Sequence, residues 1–143
     1  MPFTFGFFHD SALTTPVTAL NPLVAEQDTD GSLPDTDEII YFGSTATGYR
    51  VRDAVNPGVD PIEISVVDAN AGTGSPATEF KLALSLVGLD SAVAGAALEI
   101  GTQVTSGTAN AIPIYTRRTT AIAVAGVYTD LTLQTQQLAE TVV

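Results

Sequence analysis

Apolar and polar positions alternate most strictly over Thr78–Val87. Phe80, Leu82, Leu84 and Leu86 fall on one side, and Glu79, Lys81, Ala83 and Ser85 on the other. That period of two predicts a half-buried strand. Pro61–Asp68 predicts a second, with Ile62, Ile64 and Val66 against Glu63 and Ser65. Ala97–Val104 predicts a third, with Leu98, Ile100 and Val104 inward, and Ile112–Thr116 a fourth. Thr120–Val127 and Tyr128–Thr135 continue the pattern, with Ile122, Val124, Leu131 and Leu133 as core candidates. Ile39–Phe42 and Tyr49–Asp53 add two short strands. Turn chemistry separates these runs at Asn56-Pro57-Gly58, across Asn70–Pro76, at Ser106-Gly107 and at Arg117-Arg118. Helix is scarce. Leu89–Ala97 has room for one or two turns, weakened by Gly95. Pro22–Glu26 is placed to start a short helix after Asn21, with proline at the first helical position.

Seven or eight short strands at this spacing fit a mainly β, antiparallel sandwich or jelly roll. Composition agrees, since 20 Thr, 14 Val and 8 Ile stand among the 143 residues, and these side chains suit a pleated surface. A chain of this length suits one globular domain with one core. Within it, residues 1–38 read as an arm followed by an acidic loop. Residues 39–143 read as the sandwich proper.

Charge narrows the functions. Hydrophobic residues make up 45% and charged residues only 15%, and the net charge is −11. Nucleic acid and anionic membranes both demand a basic surface, and five bases do not build one. Neither is expected as a partner. The start, Met1-Pro2-Phe3, lacks the basic segment of a signal peptide. No apolar run approaches the 18 residues of a membrane-spanning helix. Cysteine is absent, which removes disulfides, thiolate catalysis and zinc–sulfur sites. So little charge suggests a surface covered by protein partners.

Four constellations carry chemistry worth following. The stretch from Glu26 to Asp37 sets carboxylates at loop positions 1, 3, 5 and 12, with Gly31 at position 6. Glu26, Asp28, Asp30 and Asp37 are therefore candidate calcium ligands, because calcium takes six to eight oxygens from alternating loop positions. Against this, position 1 is Glu, position 12 is the shorter Asp, and Pro34 stiffens position 9. The plainer reading is a solvated acidic loop. His9, the one histidine, is a general acid–base candidate only on a rigid site, and no nucleophile-elbow motif accompanies it. No cofactor is expected, and no enzymatic activity.

The third constellation is the aromatic arm. Phe3, Phe5, Phe7 and Phe8 hold four of the six phenylalanines. Four exposed rings would be an aggregation hazard, so they must be buried, either as a first strand of this domain or on another chain. The fourth is arginine. Arg50 and Arg52 share one strand face, and Arg117 and Arg118 stand together in an acidic chain. Each pair either meets a partner's carboxylates or this chain's own.

Family resemblance adds a direction. Phe42-Gly43-Ser44, Tyr49-Arg50-Val51-Arg52-Asp53, Asn56-Pro57-Gly58 leading into Ile62–Val67, the strand Glu79–Leu86 and the Thr/Ala/Val-rich Ala121–Leu133 resemble the small capsid decoration (cement) proteins of tailed bacteriophages. The resemblance spans residues 39–135 and leaves out the arm and acidic loop. It implies a jelly roll or related sandwich and a non-enzymatic role on the outer surface of the virion. The implied partners are the major capsid protein and further copies of the chain, as a dimer or trimer. Phe3, Phe5, Phe7 and Phe8 are then candidate anchors, and Arg50, Arg52, Arg117 and Arg118 candidate polar contacts. Another virion component, of the tail or head–tail junction, and a calcium-dependent adhesion module are the competing expectations.

Overall fold

A computed structural model describes residues 3–24, 30, 36–70, 76–118 and 129–143. In chain order its strands are β1 (Gly6–Phe8), β2 (Thr36–Gly43), β3 (Tyr49–Asp53), β4 (Glu63–Asp68) and β5 (Phe80–Ala83). A four-residue helix, α1 (Gly88–Ser91), follows. Then come β6 (Leu98–Glu99), β7 (Val104–Thr105), β8 (Ile112–Arg118), β9 (Leu131–Thr135) and β10 (Leu138–Val142). The strands form three small sheets, ordered β1-β2-β8-β5, β10-β3-β7 and β6-β4-β9. Among the described residues every pairing of these strands is antiparallel. The expected class, mainly β and antiparallel, is the class observed, in a sandwich-like arrangement.

The three sheets share one core, because alternate residues of each turn inward together. The first sheet supplies Ile40, Phe42, Leu82 and Ile114. The second supplies Val51 and Val104. The third supplies Ile64, joined by Ile62 and Ile100 beside it. Full burial of each such side chain contributes about 1.5–3 kcal/mol relative to exposure. The loop after β1 is fastened by Asp10, whose carboxylate accepts hydrogen bonds from the backbone N–H groups of Thr14 and Thr15 and from the Thr14 hydroxyl. Between them Leu13 adopts φ 57° and is buried. Its Cδ1 sits 2.9 Å from where a Cβ on Gly43 would lie, so glycine at the end of β2 makes room for it.

Several expected elements are corrected. The strand expected over Thr78–Val87 survives only as β5. A 3-10 turn at Ala77–Glu79 precedes it, and after Ala83 the chain turns into α1. Leu84 and Leu86 are consequently 48% and 53% exposed. The turn holds because the Ser85 hydroxyl accepts the Gly88 N–H and the Leu86 carbonyl accepts the Leu89 N–H. Gly101, at φ 107°, splits the run over Ala97–Val104 into β6 and β7. Arg117-Arg118 is no turn; both close β8, paired with β2 on one side and β5 on the other. Pro22–Val24 is not helical. α1 begins at Gly88 and lasts one turn, shorter than the span to Ala97. β10 was not expected, and β9 starts at Leu131 instead of Tyr128. The strand expected over Thr120–Val127 lies outside the described residues, with Ile122 and Val124.

Candidate functional site

The aromatic arm is built into the domain. β1 pairs with β2 in the register Phe7 opposite Phe42. Phe5 is 6% exposed and lies in the core, its ring centroid 6.0 Å from that of Phe42. Phe7 also packs on Phe42, at 5.3 Å. Phe8 faces outward, opposite Tyr41, and is half-buried. Phe3 is 51% exposed and touches Phe5 at 6.2 Å. Of the four rings, then, Phe5 and Phe7 hold the domain together, and Phe3 presents most surface to a partner. Polar bonds secure the same segment. The Glu140 carboxylate accepts the Thr4 N–H at 2.7 Å and the Thr4 hydroxyl at 2.6 Å, and that hydroxyl accepts from Ser44 Oγ at 2.7 Å.

The two arginine pairs part company. Arg117 forms a fork on Asp37, Nε to Oδ1 at 2.7 Å and Nη2 to Oδ2 at 2.9 Å, and donates Nη1 to Asp90 at 2.8 Å. This ties β8 to β2 and to α1. The hydrogen bonds from Arg117 hold the Asp37 carboxyl below its ordinary range, and Asp37, then Asp90, push the guanidinium further into its charged form. Arg118 points inward, pairs with the largely buried Glu79, and stacks over Phe80 at 5.9 Å. Both side chains serve this chain's own fold.

Arg50 and Arg52 differ. They lie on the face of β3 opposite the buried Val51 and Asp53. Their cross-strand neighbours are uncharged: Thr141 and Thr105 flank Arg50, and Ala139 flanks Arg52. Among the described residues neither arginine forms an ion pair. Among the described residues, the Nε of Arg50 and the Oγ1 of Thr141, register partners on adjacent strands, are buried without a hydrogen-bond partner.

The end of β3 and the loop after it help to form a cleft of about 350 Å³ lined by Asp53, Asp60, Pro61, Glu63, Glu99 and Gln136. Asp53 is internal to the fold. Its Oδ1 accepts the N–H groups of Asn56 and Val55 at 2.7 and 2.8 Å, which lowers its pKa and shapes the loop after β3. Gln136 stitches the cleft wall, accepting from the Glu63 N–H and donating to the Pro61 carbonyl. Asp60, Glu63 and Glu99 are exposed. Glu63 and Glu99 stand directly opposite each other across β4 and β6. Like charges in that register repel. This pair is invisible in the sequence, because it depends on a register between segments 36 positions apart.

The remaining candidates are placed as follows. His9 donates Nε2–H to the Asn21 carbonyl at 2.8 Å, bracing the loop after β1. Of the calcium candidates, Glu26 and Asp28 lie outside the described residues, Asp30 is exposed, and Asp37 is bound to Arg117. Among the described residues no three acidic or histidine side chains are grouped to hold a metal ion. No helix there is long and apolar enough to cross a membrane. No protein-family model, curated protein or solved structure matches the chain.

Proposed function

We propose that this chain is a non-enzymatic structural protein of a virus particle, a decoration protein that binds the outer face of the assembled head of a tailed bacteriophage. The supporting observation is the loop that follows β5. Leu84, Leu86, Val87 and Val93 are 48, 53, 78 and 71% exposed within ten residues, in a chain poor in charge. Apolar side chains left exposed so close together in the sequence support a protein contact over a solvated loop. Phe3 adds an exposed ring elsewhere. The sequence resemblance over residues 39–135 supplies the particle, and the major capsid protein is the proposed partner. A protein that binds only the assembled shell stabilises it by mass action.

The test is co-sedimentation. Lysate from the natural source is run on a density gradient and the chain followed by mass spectrometry. Fixed stoichiometry with particles, reduced by the paired change Leu86→Ser and Val87→Ser, is the expected result. A chain found only in the soluble fraction overturns the proposal.

A further inference from the structure

We infer that two copies of this chain associate face to face about a twofold axis, Arg50 and Arg52 of each copy entering the cleft of Asp60, Glu63 and Glu99 on the other. This deepens the structural-protein reading by specifying the self-contact, and it rests on that reading only for its purpose.

Two independent observations leave opposite charges unanswered. On β3, two guanidiniums share one face, and among the described residues no carboxylate pairs with either, in a chain carrying 16 acids and five bases. The other two arginines show that this chain pairs its guanidiniums where its fold requires them. In the cleft, Glu63 and Glu99 are held directly opposite, and among the described residues neither carboxylate has a hydrogen-bond or ion-pair partner. A cation between them turns a repulsive pair into a binding site. Arginine suits it, since its planar fork meets carboxylates with two parallel bonds.

The spacings match. Side chains at i and i+2 on a strand stand roughly 6.5–7 Å apart, and directly opposed Cβ atoms about 5 Å apart. Flexible arginine stems cover the difference. The loop after β3 links the two patches along the chain. A Cβ on Gly58 would lie 3.8 Å from Arg52 Nη1, and two residues further on Asp60 lines the cleft. Two patches of opposite sign on one chain complement themselves across a twofold, each copy giving and receiving once. The contact must be local, because two copies at −11 repel at long range. At 0.15 M salt that repulsion is screened beyond about 8 Å.

The experiment is sedimentation equilibrium on the purified full chain at 0.15 M salt, with no particle present. Its failure is thus separable from failure of the virion proposal. Wild type is expected to dimerise. R50E/R52E and, separately, E63R/E99R are each expected to raise the dimer Kd about 100-fold or more, as desolvated charge pairs at interfaces do. An equimolar mixture of the two variants is expected to recover heterodimers, because each altered face then meets an altered or native face of opposite sign. R50Q/R52Q, which adds no repulsion, guards against a misfolded reversal variant, with circular dichroism confirming the fold. A monomeric wild type, undiminished dimers in the folded variants, or a mixture that stays monomeric overturns the inference.

Discussion

Phe5 and Phe3 lie two residues apart and have different work. Phe5 fills the space against Phe42, so Phe5→Ala is expected to cost about 3–5 kcal/mol through lost transfer energy and the cavity left behind. Phe3→Ala, at a half-exposed ring, is expected to fall within roughly 0.5 kcal/mol. Urea unfolding of both variants measures the contrast, and equal losses would contradict the burial described. The alternation of Phe3, Phe5 and Phe7 is legible in the sequence; which ring ends inside is not. That choice depends on Phe42 and on the Thr4–Glu140 bonds, which join residues 136 positions apart. The arginines make the same point. Nothing in Arg117-Arg118 tells that Asp37, 80 residues earlier, is the partner.

Strands were legible where the period of two coincided with room for a full strand. Tyr49–Asp53 and the core of Pro61–Asp68 are of this kind. The alternation continued past Ala83 because Leu84 and Leu86 sit on the correct parity by number, although the backbone has already turned under Ser85 and Gly88. Periodicity reads parity and has no access to a hydroxyl that accepts a turn's N–H. β10 lies beyond the last expected strand, and its pairing along the whole of β3 joins segments far apart in the sequence. Gly101 is the element-scale prediction. At φ 107° an alanine there is strained, although the nearest atom to its Cβ is 3.9 Å away. Gly101→Ala is therefore expected to cost about 1–2 kcal/mol, the order of forcing an L-residue into positive φ, with no change in the dimer or particle contact. A thermal melt beside a sedimentation run separates the two, and an unchanged melting temperature would remove the strain argument.

For the whole molecule, the carboxyls that fasten loops and strands set the response to acid. Asp10 is lowered chiefly by the Thr14 hydroxyl, Asp37 by Arg117, and Asp53 by the Asn56 N–H. Each is more acidic folded than unfolded. As pH falls, the unfolded chain takes up protons first. The stability they contribute is full above the ordinary aspartate value of about 3.9 and is lost as pH drops through the lower folded values. Melting temperature is expected to fall below about pH 4, and less steeply in Asp53→Asn, whose amide oxygen still accepts the loop N–H groups without titrating. Identical acid slopes for the two proteins would exclude Asp53 from this response. The candidate interface sits at this scale too. Its parts, Arg50, Arg52, Glu63 and Glu99, are visible as letters, but only the pairing of β4 with β6 makes the acids adjacent.

The bond between Thr4 and Glu140 also has a mechanical meaning. It ties the segment before β1 to β10, so tension applied between them falls at the outset on two short hydrogen bonds. Beyond those, the load passes to the five-residue pairing of β10 with β3.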